Sequence, residues 1–185
     1  MTPNFGSWNP KSLEPEQLDS LLAAVEAGPN GTRNRLAFLV CFNHALRVSE
    51  LVSLRPEDIS LGQIQFTSGK SKLRIVHPLA DDEREAVEKL AAERKGQESL
   101  FTIKAAMFDR IIKQAGERAG IHRSLCHMHT LRHSCARYLA RKRGVPLEEV
   151  QQWLGHKSLA VTSVYLNPSP GEVANSVMKA LNGGL

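Results

Sequence analysis

Residues 32 to 45 constrain this chain most. The run LAFLVCF, from Leu36 to Phe42, makes the helix expected over 32–45 apolar on nearly every side. A helix without a polar face has to be enclosed by other elements, so the neighbouring segments are expected to surround it in one core. The run is far too short to span a bilayer, and the N-terminal MTPNFGSWNP has neither the charged flank nor the apolar centre of a signal peptide. A chain of 185 residues with 42% hydrophobic content suffices for one compact domain, expected to be soluble and cytoplasmic. Cys41, Cys126 and Cys135 are odd in number and have no disulfide-like spacing, so buried free thiols are expected.

The remaining pattern is mostly helical. Leu18, Leu21, Leu22 and Val25 recur at helical spacing, with Pro15 suited to the first turn and Gly28 to the stop. A short helix VSELVSL follows Arg47 and ends at Pro56. The period then changes. QIQFTS and LRIVHP, with Ile64, Phe66, Leu73 and Ile75 alternating, read as two strands joined by the turn SGKSK. Further helices are expected at about 80–95, 104–119, 130–143, 146–154, 158–166 and 170–182. Residues 1–11 read as a flexible leader and 12–185 as a single domain.

A formal charge of +5 and a pI near 9.3 point weakly to a polyanionic partner. The distribution says more than the sum. Residues 81–98 are rich in acids, whereas RHSCARYLARKR holds Arg132, His133, Arg137, Arg141, Lys142 and Arg143 without one. On the helix expected there, Leu131, Cys135 and Tyr138 share a core face, and His129 and Arg132 lie on a polar, cationic face. HTLRH has the i, i+4 histidine spacing of a helical zinc site, but Thr130 occupies the position where a metalloprotease needs its glutamate base. No metal is expected. His44 and His77 read as satisfied structural histidines.

The segment LGHKSLAVTSVYLN contains one of the two tyrosines, Tyr165. On one continuous helix His156 and Tyr165 would lie on opposite faces, about 13.5 Å apart along the axis. Gly155 favours a turn and Ser158 a helix cap, so His156 is expected in a loop folding back over the helix of Tyr165.

Read in order, ALRVSEL, SGKSKLRIVHPL, HTLRHSCARYL and LGHKSLAVTSVYLN resemble the catalytic domain of the tyrosine recombinases, the phage integrase family. The resemblance covers nearly the whole chain and is nearest to short members without an N-terminal clamp domain. It implies a mainly α fold with a small antiparallel β-sheet, acting as a tetramer on two double-stranded DNA segments. An accessory DNA-bending protein and a location at the nucleoid are expected with it.

By the same resemblance Arg47, Lys70, His129, Arg132, His156 and Tyr165 are the catalytic set, and Glu50 supports it. Lys70 is preferred to Lys72 because it follows Gly69. Arg137, Arg141, Lys142, Arg143 and Lys157 are expected to contact DNA. The chemistry accounts for these residue types: guanidinium groups neutralise phosphate oxygens without a metal, and a tyrosine in a cationic site can attack phosphorus. The implied activity is site-specific strand cleavage and rejoining through a 3′-phosphotyrosyl link, needing no cofactor. A non-catalytic DNA-binding regulator of this fold and a type IB topoisomerase-like enzyme are the alternatives. Asn167 and Ser134 depart from the histidine and threonine common in the family, and neither change removes a catalytic group.

Overall fold

A computed structural model describes residues 12–69, 72–94 and 98–155. The first helices of the described residues are a packed pair, α1 (Pro15–Glu26) and α2 (Gly31–Asn43). Leu18, Leu21, Leu22 and Val25 form the buried stripe of α1, as their spacing predicts. The turn between the two helices is so close that a methyl group on Gly31 would lie 1.7 Å from the Glu26 carbonyl oxygen. Glycine is required there.

The helix α2 is the centre of the core. Ala37, Phe38, Val40 and Cys41 are completely buried, and the Phe38 ring meets Phe108 at 5.9 Å between centroids. Around α2 pack α1, α3 (Val48–Ser53) and α6 (Met128–Arg137), while α5 (Ala105–Arg118) packs on α1 and α3 and supplies Phe108 and Ile112. Burying each such side chain contributes roughly 1.5–3 kcal/mol. All three cysteines are buried free thiols.

The small sheet has three antiparallel strands in sequence order, β1 (Ile59–Ser60), β2 (Gln63–Thr67) and β3 (Arg74–Pro78). The two-residue β1 is too short to show a period, so the sequence reads only the other two strands. In the register Ile64 opposes His77 and Phe66 opposes Ile75, and the inward residues Ile64, Phe66 and His77 are buried. The helix α4 (Arg84–Glu93) follows, and α7 (Leu147–Trp153) ends the described chain.

One sequence expectation is corrected in the helix expected at 130–143. The α-helix ends at Arg137, and Tyr138–Lys142 forms a π-helical turn. That widening lets the Tyr138 ring pack against Phe42, 6.0 Å between centroids, while its hydroxyl accepts a 2.8 Å hydrogen bond from Arg143 Nε. Among the described residues no helix is long and apolar enough to cross a membrane.

Candidate DNA strand-cleavage site

The first cluster is organised by a buried carboxylate. Arg47 caps α3 and Glu50 lies one turn inside it, only 3% exposed. The Arg47 guanidinium donates to Glu50 Oε1 at 2.8 Å, and the Arg47 backbone N–H donates to Oε2 at 2.8 Å. Gly69, in the turn between β2 and β3, donates its N–H to Oε1 at 3.1 Å. One side chain therefore joins the start of α3 to the residue directly before Lys70. A buried carboxylate needs this number of donors to offset its lost hydration.

The second cluster is organised by a buried cation. Arg132, on α6, is 1% exposed and is the largest fully buried side chain among the described residues. Its guanidinium donates to the Ala45 carbonyl and, at 2.5 Å, to the Leu154 carbonyl. This corrects the expectation that Arg132 stands on a polar helix face: the long side chain reaches inward to two backbone acceptors. The carbonyls solvate the charge. Burial pushes the nearby thiols of Cys41 and Cys135 up to about 12 against the opposing pull of Arg132. Positive charge held in such a dry surrounding acts strongly on an anion placed beside it.

Backbone conformation joins the two clusters. Ala45 has φ +51°, a left-handed turn between α2 and α3 that directs its carbonyl to Arg132 two residues before Arg47. At the other end α7 stops in a turn at Gly155, with φ +63°, where the sequence places one. A methyl group there would lie 2.4 Å from Ile75 Cδ1 and 3.7 Å from Ser68 Cβ, so Gly155 rests on the β2–β3 hairpin. Gly155→Ala is expected to cost about 1–3 kcal/mol through the left-handed φ and the Ile75 overlap. That loss lowers the melting temperature by roughly 2–4 °C per kcal/mol. A melting curve equal to wild type would refute this close approach.

Other expected site residues take varied positions. His129 is exposed near the start of α6, its ring edge-on to His133 at 4.6 Å. Arg137 reaches α1, with Nη2 3.6 Å from Glu14 Oε1 and Nη1 3.4 Å from Ser12 Oγ, and Lys142 Nζ lies 3.6 Å from Glu14 Oε2. Arg143 lies over the Tyr138 ring at 5.2 Å, and Arg141 is exposed. Lys70, His156, Lys157 and Tyr165 lie outside the described residues. The acceptors of Arg132 were missed by sequence reasoning, because a backbone carbonyl carries no residue-type signal.

The sequence pattern described as the phage integrase family matches residues 11–172. The chain is 33% identical over 167 residues to the type 1 fimbriae regulatory protein FimE of Escherichia coli strain K12, spanning 83% of each chain. It is 35% identical over 178 residues to the tyrosine recombinase XerD of Xanthomonas campestris pv. campestris, spanning 84% of this chain and 54% of that protein. Its backbone is similar to XerA recombinase, with a TM-score of 0.79 at 24% identity over 100% of this chain and 68% of that one. It is also similar to XerH site-specific recombinase bound to palindromic difH substrate in a post-cleavage complex. There the TM-score is 0.73 at 25% identity, covering 91% of this chain and 52% of the other.

Proposed function

The chain belongs to the phage integrase family, the tyrosine recombinases, and we propose that Arg47, Arg132 and Tyr165 are the centre of its strand-cleavage site. It is a site-specific DNA recombinase, an enzyme that breaks and rejoins DNA. One observation carries the residue assignment. Arg132 hydrogen-bonds residues 45 and 154 while Glu50 joins residues 47 and 69, so four motifs far apart in sequence are tied to one place.

The scissile phosphate sits between the two guanidinium groups, which neutralise its non-bridging oxygens and the charge that grows on them during attack. Glu50 is a positioning residue for Arg47 and for the turn that carries Lys70. Tyr165 attacks phosphorus; its phenol, ordinarily of pKa about 10, needs the cationic site and a base to lose its proton. His129, exposed at the start of α6, is that base. His156 donates a hydrogen bond to the phosphate, and Lys70 protonates the departing 5′ oxygen. The 3′-phosphotyrosyl ester conserves the bond energy, so a 5′ hydroxyl from another strand reverses the step without ATP.

Four copies act on two paired duplexes, with a DNA-bending protein as an accessory, at the nucleoid in the cytoplasm. Arg141, Lys142, Arg143 and Lys157 contact the DNA backbone. Arg137 contributes less, since it is tied to Glu14 and Ser12. With six or more phosphate contacts, affinity is expected to fall at least roughly 10³-fold between about 50 and about 200 mM salt. A flat binding isotherm across that range would remove the phosphate contacts from the account.

The function is tested with nicked suicide duplexes in chelator, resolved on a denaturing gel. A covalent protein–DNA adduct is expected, and sequencing the trapped strand gives the target site. Binding without an adduct would favour the non-catalytic regulator. Relaxation of supercoiled plasmid by single copies, independent of paired sites, would favour the topoisomerase-like enzyme.

A further inference from the structure

Beside this site lies a largely buried assembly of titratable and aromatic side chains that the cleavage chemistry does not use. His44 follows the last residue of α2, His77 is an inward residue of β3, Glu83 precedes α4, and Trp153 is the last residue of α7. His44 and Glu83 are almost completely buried, with His44 Nε2 2.7 Å from Glu83 Oε1. The same oxygen accepts the Ala80 N–H at 3.1 Å. The Nδ1 atoms of His44 and His77 are 3.3 Å apart. His77 stacks on Trp153, 3.6 Å between centroids and 5° from parallel, and Trp153 Nε1 donates to the Asn43 carbonyl at 3.0 Å.

These contacts have a direction. If His44 donates from Nε2 to the Glu83 carboxylate, its Nδ1 is left as an acceptor, which the Nδ1–H tautomer of His77 meets. His77 is neutral in this order, in keeping with burial and the adjacent His44, which push its pKa down to about 3. Apolar side chains could fill the same volume without desolvating a carboxylate. Directional hydrogen bonds do something that apolar packing does not: they set the end of α2 and the end of α7 at one separation and orientation.

The ends of the assembly indicate what that setting controls. The two carbonyls that hold Arg132 belong to Ala45 and Leu154, the residues directly after His44 and Trp153. Asn43, the acceptor for the Trp153 indole, directly precedes His44, so the indole ties the two ends together. Ala45 keeps its left-handed φ of +51° inside this frame, and the chain reaches Arg47 two residues later. We infer that His44, His77, Glu83 and Trp153 form a positioning unit that sets the Ala45 and Leu154 carbonyls, and through them places Arg132 and Arg47 on the scissile phosphate. This rests on the assignment of those arginines to the phosphate.

The test compares wild type, Glu83→Gln and Trp153→Phe in single-turnover cleavage of a suicide duplex, with DNA affinity and thermal melting measured on the same proteins. Glu83→Gln keeps the shape and an acceptor oxygen but removes the charge that orders the two histidines. It is expected to slow adduct formation about tenfold, with affinity within about twofold of wild type. Trp153→Phe keeps a ring on His77 and loses the bond to Asn43, and is expected to slow the step in the same sense with affinity unchanged. Wild-type rates in both variants would overturn the inference. So would rate and affinity falling together in step with melting temperature, the pattern of a structural role. Should Glu83→Gln fail to fold, Trp153→Phe decides alone. A wild-type chain that forms no adduct would bring down the assignment of the site itself, an outcome distinct from variants that cleave as fast as wild type.

Discussion

Tyr165→Phe is expected to abolish the covalent protein–DNA adduct while leaving DNA binding intact. The substitution removes a single oxygen, so packing and the charge presented to phosphate are unchanged. Loss of a nucleophile lowers a covalent step by far more than loss of any one supporting group, here by at least about 10⁴-fold. DNA affinity should stay within about threefold of wild type, since one hydroxyl adds at most about 1 kcal/mol to binding. The measurement is adduct yield in chelator against a filter-binding curve on the same duplex. An adduct that persists in Tyr165→Phe would require another nucleophile, and the mechanism given above would be discarded. The result is informative because the other tyrosine, Tyr138, is engaged by Phe42 and Arg143 and has a packing role.

Arg132→Lys is expected to have the second largest effect, acting on stability and chemistry together. The guanidinium donates to two carbonyls from distant segments, on Ala45 and Leu154, with a planar fork that an ammonium group cannot reproduce. Leaving one of these buried carbonyls without its donor costs about 1–3 kcal/mol, which thermal melting reads directly. A lysine in its place keeps a charge but loses the orientation toward phosphate, so adduct formation should fall about 10²–10³-fold. Arg132→Ala should be worse in both respects and leaves a cavity. A folded Arg132→Lys protein that cleaves within about fivefold of wild type would show that the fork is not needed.

Much of the architecture is legible in the amino-acid sequence. The apolar run Leu36–Phe42 requires a central helix, and α2 is that helix, with Phe38 and Val40 completely buried. The alternation through Ile64 and Phe66 requires a strand with one inward face, which β2 provides. Gly155 marks a turn, and its φ of +63° makes one. His44 and His77 read as structural, and both are buried with polar partners. In each case the signal is local, because a helical or two-residue period leaves its imprint on consecutive residues.

The signals that fail are non-local. An arginine in a basic stretch reads as a surface charge, yet Arg132 is buried because two backbone carbonyls from distant segments meet at its end. Arg137 and Lys142 stand in a basic stretch that gives no sign of their ion pairs with Glu14, more than a hundred residues earlier in the chain. The π-helical turn at Tyr138–Lys142 has no compositional mark; the ring of Phe42 and the side chain of Arg143 accompany it. The link from Glu50 to Gly69 spans nineteen residues and ends on a backbone N–H, which any amino acid except proline supplies.

Among the described residues the amino-acid order alone thus marks the main helices and the two longer strands, much of the core, and which residue types are suited to phosphodiester chemistry. Those properties depend on periodicity and on side-chain chemistry, both written along the chain. The convergence of residues 45, 47, 69, 132 and 154, and the ordered His77–His44–Glu83 contacts beside them, belong to the folded protein only. They consist of hydrogen bonds whose partners are brought together by packing around α2 and whose acceptors are often backbone atoms common to every residue.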